Sequence, residues 1–171
     1  TENGFESLRS SGIREDGSFR VGTLKADSYL LYFVPDPVTL PDYLPTYYVN
    51  QLNWNDAYLL PLLANTYDLD VHLAERAVVL PSGNGSISGI CTTGKGINSV
   101  PVADLQNLII YLLDYKGKNI LRYVSPAGDG TFGFSNLPFG GYLLYAEKAG
   151  YKATDSPLIQ LTPSVPHIQN V

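Results

Sequence analysis

The sequence predicts an all-β fold in two tandem modules, and three observations carry that prediction. The first is an internal repeat: residues 16–32 recur 113 positions later as residues 129–145, with eight of seventeen aligned positions identical and no gap. The second is a set of short apolar runs with period-two alternation and no sustained helical period. The third is punctuation: 16 glycines and 12 prolines are spread along the 171 residues, as turns between many short strands require.

Each copy of the repeat reads as two antiparallel strands joined by a short connection. Asp16-Gly17 and Asp129-Gly130 supply tight turns, Phe19 and Phe132 alternate with polar neighbours, and Tyr29-Leu30-Leu31-Tyr32 matches Tyr142-Leu143-Leu144-Tyr145 as the second strand. Ahead of the first turn, residues 5–11 are expected to form a strand, equivalent to residues 118–124 in the second copy. Two further strands, over 86–92 and 107–113, have no counterpart in the first half. The first module therefore opens mid-sandwich, as in a piece of a longer protein, and its strand edges are expected to pair with another chain.

After Tyr32 the copies diverge. Pro35 and Pro37 end the strand, because proline cannot donate to a ladder and biases the preceding residue to extended conformations. An aromatic-rich insertion follows over 41–57, then strands over 58–63 and 67–73. In the latter, Tyr67, Leu69, Val71 and Leu73 share one face, and Asp68, Asp70 and His72 share the polar other. Pro81-Ser82-Gly83-Asn84-Gly85 marks the boundary between a partial first sandwich, 1–80, and a complete second one, 84–171. The second module carries five strands through 157–161 and a tail whose last residues, 167–171, add a terminal strand; its short strands and regular turn spacing read as a Greek-key β-sandwich.

Composition excludes several classes of function. The formal charge is −5 with no lysine or arginine cluster, so nothing is present to neutralise nucleic-acid phosphates or an anionic membrane surface. Cys91 is the sole cysteine, so no internal disulfide forms and the fold rests on packing. No run of 18 apolar residues exists, and membrane insertion is not expected.

At Ser86-Ile87-Ser88-Gly89, at Gly128-Asp129-Gly130-Thr131-Phe132-Gly133-Phe134, at Leu137-Pro138-Phe139-Gly140-Gly141-Tyr142 and at Ala149-Gly150-Tyr151, the second half resembles the carboxypeptidase regulatory-like domains. These prealbumin-like modules are related to the collagen-adhesin B repeats of bacterial surface proteins. The resemblance covers residues 84 to about 162. The first half shares only its Asp-Gly-x-Phe to Tyr-Leu-Leu-Tyr core, while its insertion looks like a segment of large multidomain secreted proteins of Bacteroidetes-type bacteria. The resemblance implies two tandem prealbumin-like sandwiches acting as a non-catalytic spacer, stalk or adhesion module of a secreted or cell-surface protein, with neighbouring domains of the same polypeptide as partners. An accessory domain of a secreted hydrolase would share the fold. The signature residues Asp16, Gly17, Phe19, Tyr29, Asp129, Gly130, Phe132, Pro138, Gly140 and Tyr142 all have structural explanations: turn conformations, space filling between sheets and a fixed connection.

Catalytic chemistry finds little material. A nucleophilic triad needs an imidazole, and His72 and His167 are the two present; His72 sits among strand carboxylates as a surface residue, and Cys91 reads as a small buried side chain. The chain ends in His167-Ile168-Gln169-Asn170-Val171, unlike the Tyr-Arg-Gly-Ser of prealbumin-like hydrolases. In adhesin B repeats a glutamate promotes a Lys–Asn isopeptide bond; here Glu147 falls one residue late, on the opposite sheet face, and strand 86–92 has no lysine. Asp68, Asp70 and Glu75 are too few for a calcium loop, and no cysteine and histidine set exists for zinc, so no metal or cofactor is expected. The insertion offers the alternative function: Tyr43, Tyr47, Tyr48, Asn53, Trp54 and Asp56, with Tyr58 nearby, mix flat apolar faces with hydrogen-bonding groups, as a glycan- or protein-binding surface does. Packing over the end of a sandwich or at the interface between modules explains the same residues. The open edges of the first module further suggest a strand-exchanged or edge-paired homodimer.

Overall fold

The computed structural model describes residues 5, 8–65, 69–91, 105, 107–153 and 155–171. These are all-β, with no α-helix and a 3-10 turn at Trp54–Asp56. The first half contributes β1 (Asp27–Tyr29), β2 (Tyr32–Phe33), β3 (Tyr43–Leu44), β4 (Thr46–Tyr47), β5 (Leu60–Leu62) and β6 (Ala74–Glu75), joined as three antiparallel pairs, β1 with β5, β2 with β4 and β3 with β6. The second half contributes β7 (Gly85–Ile90), β8 (Ile109–Asp114), β9 (Ile120–Val124), β10 (Thr131–Leu137), β11 (Gly140–Glu147), β12 (Ile159–Leu161) and β13 (His167–Ile168). They form a four-stranded sheet in the order β12-β11-β8-β9 and a three-stranded sheet in the order β10-β7-β13.

The core of the second half lies between these two sheets. Ile87, Phe134 and Leu137 face Ile110, Leu112, Leu121, Tyr142, Leu144, Ile159 and Leu161, all buried. Leu121 reaches this core through a bulge: Leu113 pairs with Ile120 and Leu112 with Arg122, so Leu121 is the extra residue and turns inward. Its neighbours Ile120 and Tyr123 pack on the opposite face of the sheet.

The repeat in sequence is a repeat in three dimensions. Arg14 N–H donates to Ser18 O at 2.9 Å and Gly17 N–H to Arg14 O at 2.9 Å; Ala127 N–H donates to Thr131 O and Gly130 N–H to Ala127 O, both at 2.8 Å. Hydrogen bonds from the Ser18 side chain and amide to Asp16, and from the Thr131 hydroxyl and amide to Asp129, hold both exposed carboxyls below the usual carboxylate range. Gly17 has φ 81° and Gly130 φ 84°, and further along Thr23 (φ 59°) matches Asn136 (φ 54°) at the β10 bulge. The Tyr29 hydroxyl donates to Lys25 O and the Tyr142 hydroxyl to Pro138 O, each at 2.8 Å. Even the partner strands agree, since Asp27 pairs with Leu62 and Tyr29 with Leu60 as Gly140 pairs with Leu161 and Tyr142 with Ile159.

Two expected strands are not formed among the described residues. Residues 8–11 and Phe5 belong to no ladder and Leu8 is 57% exposed, while Glu6 and Ser7 lie outside the described residues. The equivalent β9 is held by β8, which the first half does not match, and a lone segment has nowhere to place its backbone hydrogen bonds. Residues 69–73 keep their alternation, with Leu69, Val71 and Leu73 half-buried and Asp70 and His72 exposed, but pairing begins only at Ala74, where β3 lies alongside. Tyr67 and Asp68, like Thr92 at the end of the strand expected over 86–92, fall outside the described residues.

The boundary segment is packed against the second half: Gly83 N–H donates to Asn136 O at 3.1 Å, and a Cβ at Gly83 would collide with the Leu137 carbonyl. The paired turns allow an internal comparison. Gly17→Ala meets open space and carries only the left-handed penalty of about 1 kcal/mol. Gly130→Ala adds a Cβ 2.8 Å from Cys91 O, beside β7, and is expected to cost about 2–3 kcal/mol. Urea unfolding of the two variants checks this; equal losses would show that the second turn is not confined by its neighbour strand.

Candidate functional site

The site is the contact between the two halves. Strand β8 explains why it exists. Its residues Ile109 to Leu113 are all buried, Ile110 and Leu112 in the core between the sheets, Ile109, Tyr111 and Leu113 on the outer face. An antiparallel strand with one wet face alternates; a strand buried on both faces is continuously apolar. The outer face is covered by the first half, where Leu44 sits among Ile109, Tyr111, Leu113 and Tyr123, with Tyr32, Leu52 and Ala74 against them.

Polar bonds fix this lid in register. The Tyr32 hydroxyl lies 3.3 Å from that of Tyr111, which itself donates to Pro45 O at 3.3 Å, so Tyr32 donates to Tyr111. Tyr123 donates to Pro35 O. Arg76, paired with Asp42 at 3.1 Å, reaches Leu121 O at 3.3 Å. Burial raises the hydroxyl pKa of Tyr32, Tyr47 and Tyr111 well above the ordinary tyrosine value, and that of Tyr123, with help from Asp36, to about 12. All four therefore remain neutral hydrogen-bond donors.

At the centre is Glu147, fully buried on the face of β11 that carries Leu143 and Tyr145, away from the core between the sheets. Its Oε1 accepts from the Trp54 amide at 2.9 Å and from the Tyr47 hydroxyl at 3.2 Å, and its Oε2 is buried without a partner. Burial raises the carboxyl pKa, and the bonds from Trp54 and Tyr47 pull it partly back. Tyr47, 2% exposed, stacks on Tyr32 with ring centres 4.2 Å apart.

The insertion residues divide between this contact and the solvent. Tyr47 is buried in it, and the half-buried Trp54 donates its indole N–H to Tyr151 O at 2.8 Å. Tyr43 is half-buried and its backbone pairs with Glu75, and Tyr48 packs edge-on to the half-exposed Tyr58 at 6.2 Å. Asn53 and Asp56 are exposed and line a cleft of about 640 Å³ beside the contact. Asn55, Glu75, Lys118 and Asp155 also border it, and Tyr111 and Tyr145 reach its wall. Of the six insertion residues, the structure therefore brings Tyr47 and Trp54 to Glu147, and Asn53 and Asp56 to the cleft.

Other reactive groups stand apart. His72 is exposed, His167 Nδ1 lies 2.8 Å from Ser86 Oγ on the far sheet, and burial raises the Cys91 thiol pKa. Among the described residues no group of three or more His, Cys, Asp or Glu side chains could hold a metal ion. No described helix is long and apolar enough to cross a membrane. No family model, curated protein or solved structure matches the chain.

The pH dependence of Glu147 follows from its environment. Unfolded, the group titrates near 4.3; folded, it holds its proton to higher pH, so across that window the folded state binds more protons and stability falls as pH rises. Glu147→Gln keeps an acceptor for Trp54 and Tyr47, and is expected to match or exceed the parent at neutral pH and to flatten the decline. Glu147→Ala strands two buried donors and should lose about 1–3 kcal/mol. Urea titrations between about pH 4 and pH 8 separate these outcomes; an unchanged slope in the glutamine variant would exclude Glu147 as its source.

Proposed function

We propose that the chain is a non-catalytic structural module of a secreted or cell-surface protein, built from two tandem Greek-key, prealbumin-like β-sandwiches of the carboxypeptidase regulatory-like kind, the first lacking, among the described residues, counterparts of β7, β8 and β9. Its role is mechanical: it sets the spacing and orientation of neighbouring domains. The observation that carries this reading is the use of the insertion. Leu44, Tyr47 and Trp54 meet Glu147, Tyr111 and Tyr151 of the second half, so the most chemically equipped segment of the chain serves to join its halves. A joint made of buried apolar surface, aromatic stacking and a buried carboxylate resists bending better than a bare five-residue linker.

One observation favours a second reading, a binding module for glycans or a protein partner. The cleft beside the joint has the volume of a small-molecule site and a border of amides and carboxylates, Asn53, Asn55, Asp56 and Asp155 among them.

Emission of Trp54, the single tryptophan, distinguishes the two readings. The spacer reading expects emission unaffected by a panel of soluble polysaccharides and poorly accessible to acrylamide. A saturable shift with one polysaccharide, abolished by Asn53→Ala with Asp56→Ala, would replace it with the binding reading.

A further inference from the structure

The first half carries a copy, unpaired among the described residues, of a strand site that the second half fills from within. In the second half, β7 lies antiparallel to β10, with Ile87 opposite Phe134 and Gly89 opposite Phe132, and closes the core over Phe134 (4% exposed), Leu137 (0%), Tyr142 (3%) and Leu144 (7%). The repeat places Phe19, Val21, Leu24, Tyr29 and Leu31 at the positions of Phe132, Phe134, Leu137, Tyr142 and Leu144. All five are only half-buried, and all five line one open groove of about 680 Å³. Residues 18–24 keep the side-chain alternation and the left-handed residue of β10, yet among the described residues no strand pairs with them.

We propose that this groove receives an extended segment of a partner polypeptide, which adds antiparallel to residues 18–24 in the register of β7 on β10. The internal copy specifies its chemistry. An aliphatic side chain faces Val21, as Ile87 faces Phe134, and a glycine or other small residue faces Phe19, since a Cβ at Gly89 would meet the Phe132 ring at 2.9 Å and would also collide with the Val171 carbonyl. Acidic residues flank the apolar stretch, since among the described residues Arg9 and Arg14 border the groove against one carboxylate, Asp36. A second copy of this chain fits less well, because its own Gly85–Ile90 strand is already paired within its second half. The site is independent of whether the chain is a spacer.

The probe is a synthetic peptide, Gly-Ser-Ile-Ser-Gly-Ile-Glu-Glu, which carries the β7 sequence followed by an acidic pair at the end that the register sets near Ser18 and its partner Arg14. Titrated into the whole chain, it is expected to bind and to slow amide exchange in residues 18–24 at least tenfold, with little change in β10. Val21→Asp, checked for folding by its circular dichroism and Trp54 emission, should weaken binding at least tenfold. N-methylation of the central isoleucine should do the same without altering the protein, and Lys-Lys in place of Glu-Glu should weaken it several-fold. No binding at millimolar peptide, or binding without protection of 18–24, would overturn the proposal. So would a concentration-dependent dimer that protects 18–24 and that the peptide fails to dissociate, an outcome that assigns the groove to a second copy.

Discussion

The structure depends on strand β8 being buried from both sides. A sheet with one apolar face can rest against solvent on the other, but Ile109, Tyr111, Leu113 and Tyr123 make the outer face of the β12-β11-β8-β9 sheet apolar as well. Burial of such side chains stabilises by about 1.5–3 kcal/mol each, so a cover is required, and the insertion of the first half supplies it through Leu44, Leu52 and Tyr32. Apolar contact alone would tolerate sliding. Glu147, accepting from Trp54 and Tyr47 in a fully buried position, does not, because any shift leaves a buried carboxylate and two donors without partners. Area therefore supplies the adhesion, and the carboxylate supplies the register.

The same constraint explains the asymmetry of the two halves. Both contain the Asp-Gly turn, the left-handed residue before the second strand, the tyrosine bonded four residues back and the matching edge strand. Among the described residues, only the second has strands equivalent to β7, β8 and β9, and hence a closed core. Without them, the first half gains its order by leaning on its neighbour: its best-buried residues, Leu44, Thr46 and Tyr47, belong to the lid rather than to the repeat. The repeat residues on the other side, from Phe19 to Leu31, stay half-covered.

Much of this was legible in the sequence, where the information was local. Turn chemistry and period-two alternation located the strands of the second half, and the offset of 113 residues aligned the repeat. The face of Glu147 also followed from register alone. Its burial did not, because nothing in the sequence of β11 announces a second layer. One signal existed: the unbroken apolar run from Leu108 to Leu113 differs from the alternating strands around it, as a doubly covered strand does. The strand expected over 5–11 failed for the converse reason, since alternation describes one face of a strand and says nothing about whether a neighbour is there to pair with it. The insertion aromatics suit a ligand or a packing surface equally by composition; the location of Glu147 and Tyr151 beneath them separates Tyr47 and Trp54 from the solvent-facing Asn53 and Asp56.

The central claim is that the lid and the sheet beneath it are one cooperative unit. Native-state hydrogen exchange of the Leu44→Ala variant tests it most directly, because Leu44 belongs to the first half and touches the second only through this contact face. If the unit is cooperative, the amides of β8 and β11 lose as much protection as those of Tyr47 and Tyr48, about 2–4 kcal/mol for a buried leucine. Loss confined to the first half, with β8 and β11 unchanged, would show that the sheet stands without its cover and would contradict the account.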